Sequence, residues 1–77
     1  MFYYDVVVSI CTETSRVDSD LICGGFDTVE DAMDYINSNN VSEEDYYWRC
    51  DDGQTAYIEI EVHNDLNGNI CDVITVD

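Results

Sequence analysis

The stretch from Asp27 to Asn39 is the one part of this chain that reads as a helix, and it constrains the rest. Val29, Ala32, Met33 and Ile36 recur at i, i+3, i+4 and i+7, the apolar stripe of a helix lying on a core. Glu30, Asp31 and Asp34 point away from that stripe, so the outer face carries only negative charge. Asp27 or Thr28 suits the N-cap, and Asp27 with Glu30, or Thr28 with Asp31, resembles a capping box. The early carboxylates complement the positive end of the helix dipole. Asn37 to Asn40 supplies residues that tolerate the left-handed turn ending a helix. Everything else reads as strand or turn, so the helix must lie on a sheet.

Phe2 to Cys11 alternates as a strand, with Tyr4, Val6, Val8 and Ile10 on one face. Tyr3, Asp5, Val7, Ser9 and Cys11 take the other. Thr12 to Asp20 is polar and reads as a hairpin loop with a mobile tip, leading to a short strand at Leu21–Cys23 that pairs with the first. Gly24-Gly25 then permits the turn into the helix. After it, 41–45 reads as a loop and the aromatic run Tyr46–Cys50 as a strand. Asp51-Asp52-Gly53-Gln54 is a turn signal. Thr55 to His63 is the clearest strand. Its Ala56, Ile58, Ile60 and Val62 face inward; Thr55, Tyr57, Glu59, Glu61 and His63 face out. Asn64 to Gly68 makes another turn, and Ile70 to Val76 the last strand, with Ile70, Ile74 and Val76 inward if Asp72 sits near an edge. The order β-β-α-β-β-β predicts an α+β fold, an antiparallel sheet of four to five strands with one helix packed on one face.

At 77 residues the chain is read as a single domain, 1–77, near the lower limit for a self-supporting core. Its 45% hydrophobic content argues for a folded domain rather than an acidic tail. The charge is the unusual part. Asp and Glu number 18 against 2 Lys and Arg, for a net charge of -16. Concentrating that charge on a small surface costs stability through self-repulsion. It excludes direct nucleic-acid binding and an anionic membrane surface, and it points to basic partners. No basic leader or long apolar run appears, so the expected compartment is cytoplasmic. The expected oligomeric state is a monomer or weak dimer. Cys11, Cys23, Cys50 and Cys71 contain no CxxC pair and are expected to be reduced, mostly buried thiols.

Catalysis finds no foothold: His63 is the only histidine, no nucleophile motif occurs, and Gly24-Gly25 lacks a phosphate-loop pattern. No catalytic residue, cofactor or metal ligand is therefore assigned. Asp65 to Asn69 departs from the spacing of a calcium loop and lacks its closing Glu. Zinc sites draw on close Cys or His pairs, which are missing. What remains is a distributed acidic surface. The helix contributes Glu30, Asp31 and Asp34, the next loop Glu43, Glu44 and Asp45, and the tight turn Asp51 and Asp52. Glu59 and Glu61 add to it from the outer strand face. Neighbouring carboxylates at roughly 5–7 Å approximate phosphate spacing along a nucleic-acid strand. Tyr46, Tyr47, Trp48 and Tyr57 lie among them, of which Tyr47 and Tyr57 are the expected aromatic anchors of an interface. Adaptation to high salt would also produce an acidic, Lys-poor chain. Four Cys, six Asn and seven Ile fit that poorly.

In size, charge, α+β patterning and scattered aromatics, the whole chain resembles the small acidic inhibitors of phages and mobile elements. The anti-CRISPR and DNA-mimic proteins are the nearest of these. The resemblance is one of profile and carries no motif. It implies an inhibitor, made in a bacterial host cell, that fills the nucleic-acid or PAM-reading site of a CRISPR effector. Two other readings are an antitoxin or immunity protein for a basic nuclease, and a structural homodimer joined through exposed edges.

Overall fold

The computed structural model describes residues 1–76. Four strands, β1 (Phe2–Cys11), β2 (Arg16–Phe26), β3 (Thr55–Asn64) and β4 (Ile70–Thr75), form one antiparallel sheet in the order β2-β1-β3-β4. Helix α1 (Val29–Ser38) and a 3₁₀ helix (Glu43–Arg49) connect β2 to β3. The α+β class and the antiparallel sheet agree with the sequence pattern. The strand count is four, and the order of elements differs at two places.

The first difference is β2. Residues expected to be a polar loop are strand from Arg16 onward, and the hairpin turn is confined to residues 12–15. Thr12 closes that turn through backbone and hydroxyl contacts with Ser15. As an edge strand β2 has few neighbours, so it needs hydrogen bonds to β1 but little apolar surface. Gly24 and Gly25 are part of it, beside a break in register with β1, rather than a turn. The second difference is Tyr46–Cys50, which is helical and not a strand. Ser42 caps the 3₁₀ helix by accepting from Glu44 N–H, and Arg49 sits in its last turn, as a helix dipole favours.

Both helices lie on the same sheet face. Val6, Val8 and Ile10 of β1 and Ala56, Ile58 and Ile60 of β3 are buried there under Ala32 and Ile36. Tyr46 and Cys50 cover the same cluster beside α1. Val29 and Met33 of the predicted stripe, and Val62, are only half-buried. Thr28 is the N-cap, its hydroxyl accepting from Asp31 N–H at 3.0 Å. Asn39 closes the C-terminus, and Asn40 takes the left-handed conformation with φ 52. Ile74 of β4 and Val76 just past it flank the core, but a bulge between Val62 and His63 puts Ile70 opposite His63 on the other face. Ile70 is accordingly half-exposed, contrary to the inward placement expected for it.

With a shortest Cα extent of 16 Å, the molecule holds one sheet and one helical layer. Among the described residues, the second sheet face carries no helix. Cys11, Cys23 and Cys50 are half-buried and Cys71 is exposed, all as free thiols, so burial is shallower than expected. Among the described residues, no helix is long and apolar enough to cross a membrane.

Candidate functional site

The two faces sort the predicted contact residues into two sets. On the helical side, Glu30, Asp31 and Asp34 are exposed on α1, and Glu44 and Asp45 on the 3₁₀ helix, with Glu43 partly covered. Asp51 and Asp52 follow as an exposed turn. The spacing of Glu30 and Asp34 puts their β carbons about 5–6 Å apart on one helix face. Tyr47 is 50% exposed and Trp48 80%. Sequence reasoning favours Tyr47 and Tyr57 as anchors, yet Trp48 is more exposed than either. Its helix position explains that: a strand would have turned every second side chain inward, whereas the 3₁₀ turn leaves Trp48 outside while Tyr46 packs on the core.

Arg49 does not dilute this surface. Its guanidinium pairs with Asp20, and with Asp18 at 3.0 Å, clasping the edge strand to the 3₁₀ helix.

Tyr57, Glu59 and Glu61 lie on the opposite, open face, and the two acids are engaged within the molecule. Pairing of β1 with β3 sets Tyr3 against His63, Asp5 against Glu61, Val7 against Glu59 and Ser9 against Tyr57. Arg16 reaches in from β2 to Glu59 at 3.2 Å and Glu61 at 3.3 Å. Ser9, fully buried, donates its hydroxyl to Glu59. Glu61 is 8% exposed and holds its position through Arg16 and His63.

His63 is the centre of this face. Its Nε2 lies 3.3 Å from Asp5 Oδ2 and 3.3 Å from Glu61 Oε1. Nδ1 is 3.0 Å from the Gly68 carbonyl oxygen, which can only accept, so Nδ1 carries hydrogen and donates. Tyr3 stacks on the ring, with centroids 4.8 Å apart and planes 4° from parallel. The hydrogen bond to Gly68 raises the His63 pKa above the ordinary value; burial opposes it, and Glu61 and the Asp5 charge add to the rise.

Each partner of His63 is itself held. The Gly25 N–H donates to Asp5 Oδ1 at 2.9 Å, leaving Oδ2 toward the imidazole. Gly25 takes a left-handed φ of 83 at this point, and a β carbon on Gly24 would collide with the Asp5 carboxylate. Glycines that read as a turn signal therefore hold an acid in place. Asp5 and Arg16 escape sequence reasoning because strand pairing, not sequence proximity, joins them to Glu61 and His63.

Comparison with known proteins found no match. No family model, curated protein or solved structure matches the chain.

Proposed function

We propose that this protein is a small acidic inhibitor that occupies the basic nucleic-acid-binding site of another protein. The observation that carries the reading is the disposition of charge. Both arginines are committed to internal ion pairs, while Glu30, Asp31, Asp34, Glu44, Asp45, Asp51 and Asp52 stand in solvent on or beside the helical layer. A partner approaching that side meets carboxylates, Tyr47 and Trp48, and no free cationic side chain. Arginines and lysines that normally hold phosphates would form charge-assisted pairs with these acids. The aromatic rings would supply the desolvated anchors. The open-face acids Glu59 and Glu61 take no part, since they are turned to Arg16 and His63.

A guide-loaded CRISPR effector is the target class proposed first, because its PAM-reading and heteroduplex channels are lined by such basic residues. Titrating the protein into purified effectors, with labelled target DNA as the displaced ligand, tests this directly. Near-stoichiometric displacement is expected, declining as salt is raised. Reversing Glu43, Glu44, Asp51 and Asp52 to Lys should abolish displacement while circular dichroism shows the fold intact. Equal displacement by the reversed variant would remove the helical face from the interface. Inhibition of a basic nuclease, with none of the effectors, would transfer the reading to an immunity protein.

A further inference from the structure

The Asp5–Glu61–His63 ion-pair group has a further property. Its donor and acceptor atoms are ordered in two layers. The outer atoms are each fixed by the protein: Asp5 Oδ1 by Gly25 N–H, Glu61 Oε2 by Arg16, and His63 Nδ1 by the Gly68 carbonyl. The inner atoms, Asp5 Oδ2, Glu61 Oε1 and His63 Nε2, all lie within 4.8 Å of one another. With hydrogen on Nδ1, neutral His63 presents a lone pair at Nε2. Three lone-pair acceptors then face one another, a set that either a proton on Nε2 or a cation at their centre can share.

The geometry suits a metal ion. A tetrahedral centre with ligands at ~2.0–2.1 Å keeps its donor atoms ~3.3 Å apart. Both His63 distances are 3.3 Å, so only the two carboxylates need draw together. The outer contacts are those that orient metal ligands elsewhere: a backbone carbonyl on imidazole, and hydrogen-bond donors on the second carboxylate oxygens. Two carboxylates balance a divalent charge, and Arg16 is neutralised separately by Glu59. One imidazole and two carboxylates favour a borderline ion over the all-oxygen shells of Ca²⁺ and Mg²⁺. The three side chains are between 10% and 16% exposed, which admits water as a further ligand.

We propose that Asp5, Glu61 and His63 bind one divalent transition-metal ion, of the Zn²⁺ or Co²⁺ class, on the open face of the sheet. The site stands apart from the acidic helical surface and does not depend on what that surface binds.

Cobalt is the probe, because its spectrum reports the ligand type, and the full chain is titrated in excess Mg²⁺ to saturate diffuse acidic binding. The expected result is one saturable Co²⁺ per chain with visible bands of oxygen and nitrogen ligation and no thiolate charge-transfer band. His63→Gln should eliminate saturable binding, and Arg16→Gln should weaken it about 10–100-fold. Because either variant can perturb the sheet, the ring ¹⁵N shifts of His63 are followed in the unaltered protein as diamagnetic Zn²⁺ is added. A change at Nε2, with Nδ1 remaining protonated, supports the site. Binding only through thiolates, undiminished binding in His63→Gln, no binding above Mg²⁺, or an Nε2 that ignores Zn²⁺ would each overturn it.

Discussion

At the scale of single residues, the open face makes His63 the most informative group in the chain. In metal-free protein the ring takes up its second proton at Nε2, which faces Asp5 and Glu61, with Arg16 beyond Glu61 and Tyr3 over the ring. The folded pKa is raised, so the bound proton stabilises the fold fully below the unfolded value of about 6.5. That contribution is lost as pH rises through the folded pKa. Denaturant titrations in chelator should show the unaltered protein losing stability over that interval relative to His63→Gln. Parallel curves would show that His63 gains nothing from its surroundings. Gly24→Ala tests the backbone side of the same cluster. A methyl group directed at the Asp5 carboxylate should cost about 1–3 kcal/mol in a thermal or denaturant melt. None of this is legible in sequence, where His63 stands as a strand-end histidine and Gly24-Gly25 as a turn. The β1–β3 pairs at this cluster, Tyr3 with His63 and Asp5 with Glu61, join residues far apart in sequence, and no local pattern encodes them.

Among the elements, α1 and β3 are readable because one burial period decides each of them. The cap at Thr28, the stripe through Ala32 and Ile36, and the alternation of Ala56, Ile58 and Ile60 all appear as the pattern demands. Burial separates the two helix positions that sequence treats alike. Ile36 is 5% exposed, so Ile36→Ala should cost about 2–4 kcal/mol, a large part of the ~5 kcal/mol expected of so small a domain. Half-buried Met33 should cost less, and equal losses would contradict the packing described. The misread elements fail for definable reasons. Edge strand β2 buries little and so carries no apolar alternation, while aromatic residues at 46–48 satisfy strand propensity although Ser42 caps a 3₁₀ helix there and Arg49 sits in its last turn. The two arginines should also differ. Arg16→Ala strands Glu59 and Glu61, which are largely buried, and should cost about 2–3 kcal/mol. Arg49→Ala frees two well-exposed aspartates and should cost under about 1 kcal/mol.

For the molecule as a whole, a net charge of -16 on one sheet and one helical layer is fully legible from composition. The division of that charge between faces is not. Internal pairs absorb both arginines, and the open face encloses Glu59, Glu61 and Asp5 in a network, leaving the helical side to present free carboxylates. Self-repulsion should make the melting temperature rise with added monovalent salt, and should hold the protein monomeric in light scattering at low salt. The proposal that the helical face is the working surface is tested most directly by affinity capture from bacterial extract. The baits are the unaltered protein and the Glu43, Glu44, Asp51 and Asp52 reversal to Lys, each at low and moderate salt. The account predicts one nucleic-acid-binding protein held by the first bait, released by salt and missing from the second. The same set of proteins on both baits would contradict it.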